Sequence, residues 1–156
     1  MVATLVAAIA VASCTEDDDT GARQVAVLVA AIREVVADVP SADIDPPLPV
    51  VYLVGAGEVE FAATVQADVA EDLQDEVDVR FADDRDEAID ANAVDAPVPD
   101  EGVLLMVGEI PDGDPIEVSI EMYRSEDDQP GMVVFSMSAD DDGWSVTATS
   151  PGSLGA

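Results

Sequence analysis

Carboxylates are the reactive side chains that this sequence carries in greatest number. Its 156 residues include 35 aspartates and glutamates and five basic residues, all of them arginine, but no histidine. Histidine is the commonest general base and a common zinc ligand, and a Ser–His–acid triad or a Ser–Lys dyad needs side chains that the sequence lacks. Catalysis would depend on a facing pair of carboxylates, as in glycosidases. Only 4% of the residues are aromatic, so a carboxylate-dependent hydrolase is the weakest of our alternatives.

Three acidic runs, 17–19, 83–86 and 140–142, are the candidates for a cation site. A calcium ion needs about six to eight oxygens that converge on one point, whereas neighbouring acids on a turn or strand point in different directions. The run before Gly143 has neither the alternating acids nor the later glutamate of a calcium loop. We therefore interpret the runs as solvated charge and predict no metal or cofactor. A small-ligand-binding or cation-binding role is kept as an alternative.

The charge balance excludes two classes of partner. A formal net charge of -30 leaves no basic patch that could neutralise phosphates, so we expect no nucleic-acid partner. The same charge disfavours electrostatic adhesion to an anionic lipid surface, so any membrane attachment must be covalent or apolar. Adaptation to high salt, which screens self-repulsion, and codon bias both explain such acidity. Neither identifies a function.

Gly55-Ala56-Gly57 lies between a predicted strand and a predicted helix, where a dinucleotide-binding loop would lie. The fingerprint of such loops requires a third glycine or alanine, but Glu60 occupies that position. Glu58 and Glu60 would also put negative charge at the helix N-terminus, where a pyrophosphate binds. We therefore predict a structural turn in which the two acids complement the helix dipole.

An uncharged apolar run at 2–12 leads to Val11-Ala12-Ser13-Cys14, and Cys14 is the only cysteine. The run has the length of a signal-peptide core and is too short for a membrane-spanning helix, which needs about 20 residues. The four residues resemble the lipobox of bacterial lipoproteins, an aliphatic residue, two small residues and a cysteine. The resemblance implies that the Cys14 thiol receives a diacylglycerol and that a signal peptidase cuts the chain before it.

These expectations predict a cellular location and a domain organisation for the chain. We expect a signal peptide at 1–13, an acidic tether at 14–20 after lipidated Cys14, a single domain at 21–149 and a flexible tail at 150–156. Two or three acyl chains would anchor the protein at the extracytoplasmic face of the cell membrane. The segment lacks the basic residues that usually begin a signal peptide. A buried N-terminal element with an incidental cysteine is the alternative.

Hydrophobic periodicity predicts an α+β domain. Apolar residues spaced by three and four indicate helices, whereas two-residue alternation and short apolar runs indicate strands. We predict one or two helices packed on one face of a mostly antiparallel sheet of about five or six strands, with an antiparallel meander from 103 onward. The predicted helices are 21–39, 58–74 and a short one at 86–91, and the predicted strands are 49–54, 77–81, 103–107, 116–122, 132–137 and 144–149.

Because no catalytic constellation is present, we expect a non-enzymatic accessory or interaction module of the cell envelope. Its partners would be the membrane, through the lipid on Cys14, and a protein of the envelope. We interpret Trp144, Tyr52 and Tyr123 as packing residues rather than as walls of a ligand groove. The five arginines are expected to form surface ion pairs with acids.

Overall fold

The structure is a computed structural model that describes residues 16–37, 48–89, 98–124 and 131–152. Cys14 and the apolar run before it lie outside the described residues. None of the described helices combines the length and the apolar composition that crossing a membrane requires. The described elements are helices α1 (Glu16–Ala37), α2 (Ala63–Leu73) and α3 (Arg85–Ala88), a 3₁₀ turn at Pro99–Glu101, and strands β1 (Val50–Gly55), β2 (Asp78–Phe81), β3 (Val103–Val107), β4 (Ile116–Tyr123), β5 (Gly131–Asp140) and β6 (Gly143–Pro151).

The six strands form one sheet in the order β2-β1-β3-β4-β5-β6. Strands β3 to β6 are antiparallel neighbours, as the sequence predicts, and the α+β class is confirmed. Strand β1, however, is parallel to both β2 and β3, which the sequence analysis did not predict. The chain passes from β1 through α2 to β2 at the sheet edge and then returns to β3 on the other side of β1.

Helices α1 and α2 lie together on one face of the sheet and supply much of the main core. Helix α1 contacts β6 and α2, while α2 contacts β2, so the two helices span this face from edge to edge. Full burial of one aliphatic side chain contributes roughly 1.5–3 kcal/mol. The buried residues of the two helices include Val25, Leu28, Ile32, Val35, Val65, Val69 and Leu73.

The opposite face of the sheet carries a second, smaller apolar cluster around β1 and β3. Residues of α3 and its surroundings pack there against Leu104 and Tyr123, which are paired across β3 and β4 and are both buried. Farther along this face, β4 presents exposed Glu117 and Ser119. Within the described residues, this face is therefore covered at one end and exposed at the other.

Both ends of the domain differ from the predicted boundaries. Helix α1 begins at Glu16, so residues 16–20 of the predicted acidic tether are part of a helix. An acid such as Asp19 suits the first turn of a helix because it interacts favourably with the helix dipole. At the other end, β6 continues to Pro151, and the Gly152 N–H donates to the Met132 carbonyl at 2.8 Å. Residues 150 and 151 therefore belong to β6 and Gly152 is bonded to β5, and the rest of the predicted tail, 153–156, lies outside the described residues.

Candidate functional site

The β5–β6 hairpin forms one edge of the sheet and differs from the rest of the chain in its charge. Charged residues make up 26% of the sequence, yet the stretches 131–139 and 143–152 contain none. The three acids of the hairpin, Asp140, Asp141 and Asp142, lie at its turn. Proteins commonly protect an unpaired edge strand with lysines or other charges. Strand β6 carries no charge along its length, although a proline at 151 and a β-bulge at 147, which also discourage edge pairing, are present.

No described strand pairs with the outer side of β6. Hydrogen-bonded and non-bonded positions alternate along an antiparallel pair, and the Gly152 N–H bonds to β5. Thr149 and Pro151 lie an odd number of steps from Gly152, so their backbone groups point away from β5. Proline is tolerated in an edge strand at such a position because no ladder hydrogen bond is lost there.

A β-bulge interrupts the hairpin near its middle. The register shifts between Ser136 and Met137, whose partners are Ala148 and Val146, so that Thr147 is the extra residue. The Thr147 hydroxyl donates to the Ser136 carbonyl at 3.0 Å and holds the bulge in place. Bulges are common at sheet edges, where they bend the outer strand.

Arg23 of α1 fastens the start of β6 to the helix layer. Its guanidinium carbon lies 5.3 Å from the centre of the Trp144 ring, a distance typical of a cation–π contact. The same guanidinium donates to Asp112 Oδ1 at 3.0 Å, to the Gly113 carbonyl at 2.9 Å and to the Pro111 carbonyl. Trp144 is half-buried and packs against the main core, which confirms its predicted packing role.

An open groove of about 480 Å³ runs between α1 and the start of β6. Val29 and Trp144 give it an apolar part, but Glu34, Asp72 and Asp142 also line it. Small-molecule sites are concave and mostly apolar, with a few convergent polar groups. Three acids in an open groove do not match that description, so the groove does not support a small-ligand site.

A larger groove, of about 720 Å³, lies at the amino ends of β1 and β2 and contains Arg80. Arg80 donates to Tyr52 Oη at 2.9 Å and to two carboxylates, Asp78 Oδ2 and Asp100 Oδ2, at 2.7 Å each. The hydrogen bond to Asp78, followed by those to Asp100 and Tyr52, raises the pKa of Arg80 above its ordinary value. These bonds tie the 3₁₀ turn before β3 to the sheet. Ligands of parallel sheets bind at the carboxyl ends of the strands, and this groove lies at the opposite ends.

The loop after β1 is a turn in which two backbone amides bond within the protein. The Ala56 N–H donates to the Val107 carbonyl at 2.8 Å, and the Val59 N–H donates to the Ala56 carbonyl at 3.3 Å. A Cβ on Gly55 would lie 1.8 Å from the Val59 carbonyl oxygen, so the chain folds back tightly against that glycine. The amides of Ala56 and Val59 are therefore already used within the protein.

The same loop corrects the predicted start of α2. The helix begins at Ala63 rather than at 58 and has no acid in its first turn. Glu58 and Glu60 therefore lie in the loop, and the prediction that they complement the helix dipole is wrong. The later start of α2 has a local cause, because the chain turns at Gly57, whose φ is 69°, before the helix begins. A helix that begins this far from the glycines does not form a dinucleotide-binding loop with them.

Acids of the predicted cation candidates stabilise local turns. Asp84 accepts from the Glu87 N–H at 2.9 Å, and Glu87 accepts from the Asp83 N–H at 2.8 Å, an arrangement similar to a capping box. Asp140 Oδ1 accepts from the Asp142 N–H at 2.9 Å in the hairpin turn. Within the described ranges, no three acidic side chains come together as the ligands of a metal would.

The remaining arginine contacts divide between acids and aromatic rings. Arg33 binds Glu76 through two hydrogen bonds of 3.0 and 2.7 Å, and the bond from Arg33 lowers the pKa of Glu76. The Arg85 guanidinium lies 4.6 Å from the centre of the buried Tyr123 ring. The predicted ion pairs are thus confirmed for three arginines, while Arg85 stacks on an aromatic residue whose predicted packing role is also confirmed.

Comparisons with protein-family models, with curated proteins and with solved structures find no match for this chain. The choice of site therefore depends on the geometry of the chain itself. Sequence reasoning singled out Trp144 and the acidic turn at 140–142 but not the edge position of β6. The signal that could have found it is the uncharged stretch at 143–152 in a chain that is 26% charged.

Proposed function

We propose that the chain is an exported lipoprotein, anchored through Cys14 at the extracytoplasmic face of the cell membrane, and that its domain is a non-enzymatic interaction module. The Val11-Ala12-Ser13-Cys14 motif and the apolar run before it support the anchor. One observation carries the interaction role, namely the uncharged and unpaired outer edge of β6 among the described strands.

The position at which α1 begins limits how far an anchored domain could lie from the membrane. Glu16, its first residue, follows Cys14 by two positions. Two residues span at most about 7 Å, so an acylated Cys14 would hold the amino end of α1 close to the membrane surface. Repulsion from anionic headgroups would direct the rest of a chain with net charge -30 away from the lipid. The domain would then be available to other proteins rather than to the membrane.

An exposed sheet edge is a recognised kind of protein-binding surface. A partner strand adds to the edge, its main-chain hydrogen bonds supply affinity, and side chains of alternate residues supply specificity. Strand β6 is nine residues long, and the outward backbone groups near its end include those of Thr149; the bulge at Thr147 separates them from the start of the strand. Neither groove described above offers a comparable site for a small ligand, so the edge supports an interaction role best.

Metabolic labelling with a clickable fatty acid tests the anchor. The wild-type chain should be labelled and should sediment with membranes, whereas Cys14→Ser should be unlabelled. A matched control combines Cys14→Ser with Thr15→Cys, which keeps one thiol but shifts it out of the motif. This control should also stay unlabelled. An unlabelled wild type, or equal labelling of the wild type and the shifted thiol, would contradict the lipoprotein assignment.

A further inference from the structure

We infer that the peptide bond between Asp112 and Gly113 is a site of spontaneous covalent modification, at which the aspartate becomes isoaspartate. The inference does not depend on the proposed function. An aspartate followed by glycine favours this reaction, because glycine has no Cβ to hinder the approach of its backbone nitrogen. The sequence contains two such pairs, Asp112-Gly113 and Asp142-Gly143, and the structure distinguishes them.

The reaction needs no enzyme and no reagent other than water. The Gly113 nitrogen attacks the protonated side-chain carboxyl group of Asp112, and a new C–N bond closes a five-membered succinimide. The carboxyl OH and the amide proton leave together as one water molecule. Another water then opens the ring. Attack on the side-chain carbonyl restores aspartate, whereas attack on the main-chain carbonyl leaves Gly113 joined through the side-chain carbon, which is isoaspartate. No electrons are transferred, and the chain keeps its composition.

The loop that carries Asp112 leaves both reacting groups accessible. The Asp112 side chain is fully exposed, and a Cβ placed on Gly113 would meet nothing within 4 Å. The loop belongs to no helix or strand. Within the described residues, the Gly113 N–H donates no hydrogen bond, so no such bond has to break before its nitrogen can react.

The second pair is held in the sheet. Gly143 is the first residue of β6 and pairs with Asp140 in the β5–β6 ladder. The Asp142 N–H also donates to Asp140 Oδ1 at 2.9 Å. Because a two-residue hairpin turn has a defined backbone conformation, the end of the hairpin must open before the Asp142 carboxyl group can reach the Gly143 nitrogen. The same reaction is therefore slower at Asp142.

Arg23 restrains the reactive loop. Its guanidinium donates to Asp112 Oδ1 at 3.0 Å and to the carbonyls of Pro111 and Gly113 on either side. The Asp112 carboxyl group has to leave Arg23 before it can turn toward the Gly113 nitrogen. Since Asp112 is exposed, this ion pair is weak. It slows the reaction without preventing it.

The modification would act on the contact that fastens β6 to the helix layer. Isoaspartate adds one carbon atom to the main chain between the Pro111 and Gly113 carbonyls, so Arg23 could no longer bind both carbonyls in the present geometry. The Arg23 guanidinium also lies 5.3 Å from the centre of the Trp144 ring. We therefore expect modification at Asp112 to loosen the start of β6.

Incubation of the folded full chain at physiological pH and temperature, followed by trypsin digestion, tests the inference. Cleavage after Arg85 and Arg124 separates the two pairs into peptides 86–124 and 125–156. Methyl transfer from S-adenosylmethionine by a protein isoaspartyl methyltransferase counts the isoaspartate in each peptide. Peptide 86–124 should gain isoaspartate about fivefold faster or more, because hydrogen bonds of the hairpin protect the other pair. Asp112→Glu, which would have to close a six-membered ring, should abolish this gain.

Incubation in urea provides the control for sequence, since both pairs should react at similar rates in the unfolded chain. Arg23→Met should speed the reaction at Asp112 by about two- to fivefold, the size expected for loss of an exposed ion pair, and should leave Asp142 unchanged. Arg33→Met on the same helix is the matched control and should change neither rate. Circular dichroism checks that each variant is folded.

The stability of the modified chain gives a second readout. Modified wild type should unfold at a lower urea concentration than fresh wild type, whereas modification of Arg23→Met should lower the midpoint by less, because the Arg23 contacts are already absent.

Three results would overturn the inference. They are equal rates at the two pairs in the folded wild type, isoaspartate that persists in peptide 86–124 of Asp112→Glu, and a folded wild type that gains none while the chain in urea does. An unchanged rate at Asp112 in folded Arg23→Met would refute the restraint by Arg23.

Discussion

Replacing Arg23 by methionine tests whether one side chain fastens the start of β6 to the helix layer. The exposed fraction of the Arg23 side chain is 21%, and its guanidinium contacts the Trp144 ring, Asp112 and two backbone carbonyls. Asp112 is fully exposed, so this ion pair contributes little. A cation–π contact contributes about 0.5–1 kcal/mol at an exposed site, and a hydrogen bond from a charged donor about 1.5–3 kcal/mol.

Discounting these contributions for solvent, we expect Arg23→Met to lower the free energy of unfolding by about 2 kcal/mol. Methionine keeps an unbranched apolar stem, so the change isolates the guanidinium. The matched control is Arg33→Met on the same helix. Arg33 pairs with Glu76, and both side chains are about half exposed, at 49% and 48%. Arg33→Met should lower the free energy of unfolding by less than half as much as Arg23→Met does.

Urea unfolding of the chain carrying Cys14→Ser measures both changes, at fixed salt and at a protein concentration low enough to keep the chain monomeric. Arg23→Met should lower the midpoint and leave the dependence on urea unchanged. Equal losses for the two variants, or a larger loss for Arg33→Met, would refute the reasoning. The carbonyl bonds and partial burial of Arg23 would then not distinguish it from a surface arginine.

Three further changes test other parts of the structure. Gly55→Ala should destabilise the domain by about 2 kcal/mol or more, since its Cβ would lie 1.8 Å from the Val59 carbonyl oxygen; Gly131→Ala, with nothing within 4 Å, should be nearly neutral by the same unfolding assay. Glu76→Gln should remove a pH-dependent part of the stability. Because Arg33 lowers the Glu76 pKa below 4.5, that stabilisation is present above pH 4.5 and is lost as the pH falls through the lowered pKa. A difference between Glu76→Gln and wild type that persists unchanged in acid would contradict this assignment. The melting temperature of the wild type should rise with added NaCl, because screening relieves the self-repulsion of a chain with net charge -30; a flat series would count against self-repulsion.

Strands with clear two-residue alternation could be predicted because their signal is local. In β4, buried Ile116, Val118 and Ile120 alternate with exposed Glu117 and Ser119, as the sequence indicates. The apolar stripes of α1 and α2 were recognisable for the same reason, since a spacing of three and four residues places side chains on one helical face. The α+β class therefore follows from local patterns alone.

Features that depend on distant residues could not be predicted in this way. Strands β1 and β3 read as continuous apolar runs, because both faces of the sheet are covered there. Such runs carry no information on the direction of the neighbouring strand. The start of α2 follows a tight turn, in which Gly57 has a positive φ and the chain folds back between Gly55 and Val59; this turn is local, but no periodicity reveals it. The edge position of β6 depends on the order of all six strands, so only its lack of charge was visible in the sequence.

Intact mass spectrometry of the native protein is the most direct test of the lipid anchor. We expect a chain that begins at Cys14 and carries a diacylglycerol on that thiol. A chain that retains residues 1–13, or an unmodified thiol at Cys14, would contradict the assignment to the outer surface of the membrane.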